Sequence, residues 1–106
     1  MTARVVFLIR LHPGSERRFL EAYEAVRHDV ADGVPGHVVD QLCQRDEGTD
    51  EWLITSEWAR LEDFLAWERS DEHRTMVRPL RDCIAEATSL RFLVRAETRA
   101  DRAVAS

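Results

Sequence analysis

Three features of this 106-residue chain predict an α+β fold of ferredoxin-like βαββαβ order, with a four-stranded antiparallel sheet carrying helices on one face. Four short runs are rich in β-branched and aromatic residues. Two longer stretches between them repeat their apolar residues at three- and four-residue spacing. Turn residues stand at the joints: His12-Pro13-Gly14, Pro35-Gly36 and the polar stretch 46–50. With 44% hydrophobic and 33% charged residues, the composition is that of a globular chain. The length suits one domain, residues 1–96, followed by a polar tail, 97–106.

Residues 4–11 (Arg-Val-Val-Phe-Leu-Ile-Arg-Leu) are apolar at both parities, so both faces of this first strand should be covered. Ser15 is placed to cap the helix that follows, whose inner face is Phe19, Leu20, Tyr23, Val26 and Val30 and which Asp32-Gly33 ends. Residues 37–45 and 51–58 read as a hairpin around the loop 46–50. Alternation puts Trp52, Ile54, Ser56 and Trp58 on one face of the third strand, and Leu53, Thr55 and Glu57 on the other. Residues 60–69 form a helix with Leu61, Phe64 and Leu65 as its stripe. Ser70 caps a further short helix through Val77, and Pro79 marks a kink or a fresh first turn. Leu80, Cys83 and Ile84 continue an apolar face, and residues 88–96 form the last strand. The first and third strands are the most apolar and belong at the sheet centre. Helices cover one sheet face, and the other keeps large apolar residues. A second copy of the sheet is the economical cover, which predicts a homodimer closed as an α+β barrel.

The net charge of −5 argues against a nucleic-acid partner, whose phosphates demand cations. All fifteen basic residues are Arg, which removes Lys Schiff-base chemistry. No apolar run is long enough for a membrane span, and Met1-Thr2-Ala3-Arg4 leads straight into the first strand, so neither a membrane partner nor a signal peptide is expected. Cys43 and Cys83, far apart, read as two buried free thiols of a cytoplasmic protein. His12, His28, His37 and His73 show no metal-ligand spacing. Strict strand alternation puts His37 and Asp40 on opposite faces, where they cannot share a metal. Gly14, Gly33, Gly36 and Gly48 are isolated turn glycines and form no phosphate loop. No cofactor and no metal are expected.

Gly36 opening the second strand, Ser56-Glu57-Trp58 closing the third, and the run Phe64-x-x-Trp67-x-x-Ser70-x-x-His73 together resemble the antibiotic biosynthesis monooxygenase family over residues 4–96. The resemblance implies a small dimeric α+β barrel. The family includes cofactor-independent oxygenases that turn aromatic polyketides such as anthrones into quinones. Its haem-degrading branch pairs a strand Asn with a helix Trp and a His ten residues on. Here Trp67 alone matches: the strand position falls near Phe7, the chain has no Asn, and position 77 is Val. The resemblance therefore implies a cofactor-free monooxygenase acting on a small phenolic or anthrone-like substrate with dioxygen. A non-catalytic dimer that binds a polyketide or a partner enzyme, and a polyketide cyclase or isomerase, are the alternatives.

Trp67 lies at the margin of the Leu61-Phe64-Leu65 stripe, about 60° from Phe64, where a ring can either line a cavity or close the core. His73 shares a face with Val77, Leu80 and Ile84 if the helix runs on. Pointing inward and neutral, it is either a general base or a hydrogen-bonded core residue. His73 and Trp67 are the catalytic candidates. Phe7, Tyr23, Trp52, Trp58, Met76 and Arg91 are the candidate substrate contacts: aromatic platforms, a phenol, a soft apolar wall and a cation. Arg10 and Arg91, on strands otherwise apolar, are either ion-paired, with Glu57 as a partner, or available to an enolate oxyanion.

Overall fold

The computed structural model describes residues 1–101. The order is β1 (Ala3–Leu11), α1 (Glu16–Gly33), β2 (His37–Gln44), β3 (Glu51–Trp58), α2 (Leu61–Glu68), α3 (Asp71–Arg81) and β4 (Ile84–Leu93). The four strands make one antiparallel sheet in the order β2-β3-β1-β4, with the two most apolar strands at its centre. No helix of the described residues is long and apolar enough to cross a membrane. Residues 94–101 have no regular structure, and the rest of the expected tail lies outside the described residues.

Register explains which side chains face the helices. Ala3, Val5, Phe7 and Ile9 of β1 stand opposite Trp58, Ser56, Ile54 and Trp52 of β3. These rows and the helices build two apolar clusters. One gathers Ile9, Leu11 and Trp52 under Phe19 and Tyr23 of α1 and Leu80 of α3. The other gathers Ala3, Val5 and Trp58 under Phe64 and Trp67 of α2. Gly36 makes the close approach between β2 and α2. Its φ is +85°, and a Cβ there would lie 2.3 Å from a carboxylate oxygen of Asp63, so an L side chain is excluded twice over.

Several local expectations fail for identifiable reasons. Ser15 stands at the start of α1 with helical backbone angles and its side chain makes no cap bond. Ser70 does cap α3, accepting the His73 N–H at 3.1 Å. Leu20, expected in the inner stripe, is 40% exposed. Pro79 does not restart the helix: α3 runs through it to Arg81. The carbonyl that loses its donor belongs to Thr75, an exposed residue near water. The last strand starts at Ile84, not Thr88, because Leu11 to Arg10 of β1 already pair with residues 84 and 86, and this pairing overrides the helical character of Ile84-Ala85-Glu86-Ala87. It ends at Leu93, opposite Ala3, where β1 itself begins. Cys83 is buried as expected, but Cys43 is exposed on edge strand β2.

The face of the sheet away from the helices is uncovered in the single chain. Leu8 is 41% and Phe92 52% exposed there, with Val6, Val39, Leu53 and Leu90 around them. Its borders are charged. Arg4 bonds Thr55 at 2.9 Å and Glu57 at 3.0 Å, and Arg10 pairs with Glu86 at 2.8 Å, so Glu57, expected to pair with Arg10 or Arg91, is taken by Arg4.

Candidate active site

Between the two apolar clusters the helices and the sheet do not meet, and a cavity of about 170 Å³ remains. Its floor is the central sheet row Phe7 and Ile54, both half-buried, and the adjoining pair Val5 and Ser56. Phe19, Tyr23, Val26 and Val30 of α1 form one wall; Phe64 and Trp67 of α2 and His73, Met76, Val77 and Leu80 of α3 form the other. Arg27, Glu68 and Arg81 also line it, and the exposed positions of the two arginines place them on its solvent side.

The turn between α2 and α3 fixes two of the candidates against each other. Ser70 Oγ donates to the Trp67 carbonyl at 2.6 Å and accepts from the His73 N–H at 3.1 Å. The rings of Trp67 and His73 then meet edge to face, with centroids 5.3 Å apart at 82°. The Trp-x-x-Ser-x-x-His spacing is thus a mechanical unit, since one hydroxyl ties both flanking residues. His73 is half-buried, and its Nδ1 is enclosed without a protein hydrogen-bond partner. Burial, and then the positive charge of Arg81, push its pKa below the ordinary histidine value, against a weaker opposing pull from Glu68. A neutral imidazole with an uncommitted ring nitrogen can accept a proton from a bound molecule.

The cavity has a second polar region. Tyr23 donates to Asp40 Oδ2. Burial, and then the hydrogen bond to Asp40, hold the phenol far above its ordinary pKa, so it stays protonated. Arg27 lies over the Tyr23 ring, 5.9 Å from its centroid. Asp40 reaches this wall because of a β-bulge. The β2–β3 register slips between His37 and Val39, so Val38 is inserted and both His37 and Asp40 face the helices. That corrects the opposite faces expected from strict alternation. His37 Nε2 lies 3.7 Å from Asp40 Oδ1, and the His37 ring packs edge-on against Trp58. Among the described residues no group of three His, Cys, Asp or Glu side chains is placed to hold a metal.

Of the candidates read from the sequence, His73, Trp67, Phe7, Tyr23 and Met76 line this one cavity. Trp52 and Trp58 do not; each is a buried member of one apolar cluster, Trp52 edge-on to Phe19 and Trp58 edge-on to Phe64. Arg91 is also outside the lining, 4.0 Å from Glu68 of α2, and Arg10 is on the helix-free face. Asp40, Ser56, Glu68 and Arg81 line the cavity without having been expected there. Ser56 was legible, since alternation puts it on the face of Ile54; Asp40 was not, because nothing in Gly36-His37-Val38-Val39 announces the bulge.

The model of the antibiotic biosynthesis monooxygenase family matches residues 2–79. Over 93% of its length the chain is 50% identical to a 42.8 kDa protein of the whiE locus of Streptomyces coelicolor, and over 94% it is 46% identical to protein SchA of Streptomyces halstedii. A third relative, 42% identical over 90% of the chain, is the polyketide synthase CurD of Streptomyces cyaneus. The chain spans about a quarter of the length of each: 25%, 26% and 25%. Among solved structures the fold is that of SnoaB, a cofactor-independent oxygenase from Streptomyces nogalater (TM-score 0.79, 16% identity, 91% of this chain and 95% of that one). A conserved protein from Methanosarcina mazei shares it equally (TM-score 0.78, 17% identity, 87% and 91%). With the family model matched over residues 2–79, most of the fold, the chain belongs to the antibiotic biosynthesis monooxygenase family.

Proposed function

We propose that this chain is a cytoplasmic, homodimeric, cofactor-independent monooxygenase that oxidises a phenolic or anthrone-like aromatic polyketide to a quinone. The observation that carries the reading is His73: neutral, with an unpartnered ring nitrogen, held against Trp67 in a cavity walled by aromatic and aliphatic side chains. An anthrone methylene is acidic enough to give its proton to such a base, because the carbanion is delocalised as an enolate. His73 takes that proton, and the positive charge of Arg81 on the same wall favours the anion. The carbanion passes an electron to dioxygen, and the two radicals combine as a C–O bond. The proton held by His73 returns to the peroxide, which loses water to leave a carbonyl. CH₂ and O₂ thus become C=O and H₂O, and the substrate supplies every electron. The protein's part is an apolar cage, a base and a positive field.

Homodimerisation is supported by the uncovered apolar sheet face, Leu8, Leu53 and Leu90 with Phe92 at one edge and Arg–Glu pairs around them. Two free thiols accord with a reducing compartment. The test is oxygen uptake by pure protein with anthrone. Protein-dependent uptake with anthraquinone as product is the expected result. A changed product without uptake would overturn oxidation in favour of a cyclase or isomerase, and no change at all in favour of a binding role within a longer assembly.

A further inference from the structure

The oxidation chemistry leaves one part of the cavity unused, where β2 and β3 face α1. Asp40 and Ser56 are Cα partners on adjacent strands, both on the helix side of the sheet and both lining the cavity. Asp40 Oδ2 is held by the Tyr23 hydroxyl. Its Oδ1 has His37 Nε2 at 3.7 Å, too far for a hydrogen bond, so the carboxylate keeps acceptor capacity. Ser56 has the complementary property: its Oγ accepts from Trp58 Nε1–H at 3.0 Å, which leaves its own O–H to donate elsewhere. Behind them, the His37 side chain is 2% exposed, and neither of its ring nitrogens has a protein hydrogen-bond partner among the described residues.

The surroundings are apolar: Val5, Phe19, Val26, Val30 and Ile54. Ser56 is buried in these walls, where an unused hydroxyl proton is costly, and Asp40, its side chain 21% exposed, keeps its spare acceptor partly in water. Both are satisfied when a ligand arrives with a group that both donates and accepts. A phenolic or alcoholic hydroxyl is that group: its proton goes to Asp40 Oδ1 and its oxygen takes the Ser56 proton.

We propose that Asp40 and Ser56 are the specificity-determining residues of the cavity, selecting aromatic ligands that carry a hydroxyl group, with Tyr23 as the positioning residue that orients Asp40. The proposal rests on the reading of the cavity as an aromatic-ligand site and is independent of whether the ligand is oxidised. A site built to bond a hydroxyl discriminates against an analogue of the same shape that lacks it, because the analogue leaves the buried Ser56 hydroxyl unpaired and displaces water from Asp40 without replacing its hydrogen bond.

The experiment is equilibrium dialysis of the full chain with 2-naphthol and with 2-methylnaphthalene, two ligands of one shape that do not undergo the oxidation. The expected result is 2-naphthol bound at least about tenfold more tightly, as one hydrogen bond to a charged acceptor implies. Ser56→Ala and Asp40→Asn should each reduce that ratio severalfold while 2-methylnaphthalene binds as before, and Tyr23→Phe should reduce it less. Equal affinities in the unaltered protein, or a ratio unchanged in both Ser56→Ala and Asp40→Asn, overturn the proposal and leave the aromatic site standing. Binding of neither ligand overturns the aromatic-site reading and this proposal with it. Should Asp40→Asn fail to fold, the unaltered protein and Ser56→Ala decide the matter.

Discussion

The two faces of this sheet begin from similar apolar content and end in opposite states. The helix face carries the large rings, Phe7, Trp52 and Trp58, and two helical layers close over both of its ends. The other face carries aliphatic side chains, Val6, Leu8, Leu53 and Leu90, with Phe92 at one edge and Arg–Glu pairs around them. The helix face is covered within the chain and keeps a cavity where its two clusters fail to touch; the other is uncovered in the single chain. Two separate clusters leave room for a ligand between helices and sheet, whereas an uncovered apolar face with a charged rim suits a copy of itself.

The largest effect should come from the helix-free face. Leu8→Glu places a carboxylate at the centre of the proposed interface, opposite its symmetry mate's environment. Light scattering should show the unaltered protein as a dimer and the variant as a chain of about 12.3 kDa. Apparent stability at micromolar concentration should fall with the loss of the dimer and lose its dependence on protein concentration, because association no longer stabilises the folded chain. If the face is solvent-exposed in the working molecule, the same change costs within about 0.5 kcal/mol and the mass does not alter. On the helix face, Trp67→Ala should destabilise by about 3–5 kcal/mol, since the ring is buried among Val5, Trp58 and Phe64. Chemical denaturation reads that loss, and anthrone affinity should weaken with it. A cost under about 1 kcal/mol would mean that the cavity wall can collapse without the ring.

The difference between the faces also decides what the chain makes legible. Strand order, the placement of β1 and β3 at the centre and the uncovered apolar face all follow from parity and apolar content, because side-chain direction in a regular strand is set by position alone. Trp67 and His73 were readable for a similar reason: helical spacing with a Ser cap between them. Parity fails where a strand is irregular. The bulge at Val38 turns His37 and Asp40 to one side, and the slip between Arg10 and Leu11 accompanies the early start of β4. Trp52 and Trp58 were placed on the correct face but not in the cavity, since face is a local property and a void depends on how far two separate clusters reach. Arg10 found Glu86, on a strand that local propensity reads as helix.

His73→Ala should separate chemistry from packing on the helix face. The side chain is half-buried and its Nδ1 bonds to no protein group, so its loss should change stability by no more than about 1–2 kcal/mol. Oxygen uptake with anthrone should nevertheless be abolished. A large loss of stability with uptake retained would return His73 to the role of a packing residue beside Trp67.

The smallest effect is the pH dependence of the same group, and its sign is fixed. Burial and the charge of Arg81 make the folded-state pKa of His73 lower than the unfolded value of about 6.5. Below that pH the unfolded chain takes up a proton that the folded chain resists. The contribution of His73 to stability is therefore fully present above about pH 6.5 and is lost as pH falls from there through the folded-state pKa. The activity should follow the same direction, with an acid limb set below pH 6.5, because a base must be unprotonated to act. Four charged groups line the cavity, Arg27 of α1, Asp40 of β2, Glu68 of α2 and Arg81 of α3, and of these Arg81 and Glu68 bear on this value. Arg81→Gln should move the His73 titration, followed by NMR, up toward the ordinary value, and Glu68→Gln should move it further down. The acid limb of oxygen uptake should shift with each. A limb that ignores both substitutions while the NMR titration moves would place the catalytic proton on another group, and Asp40, across the cavity, would be the one to examine.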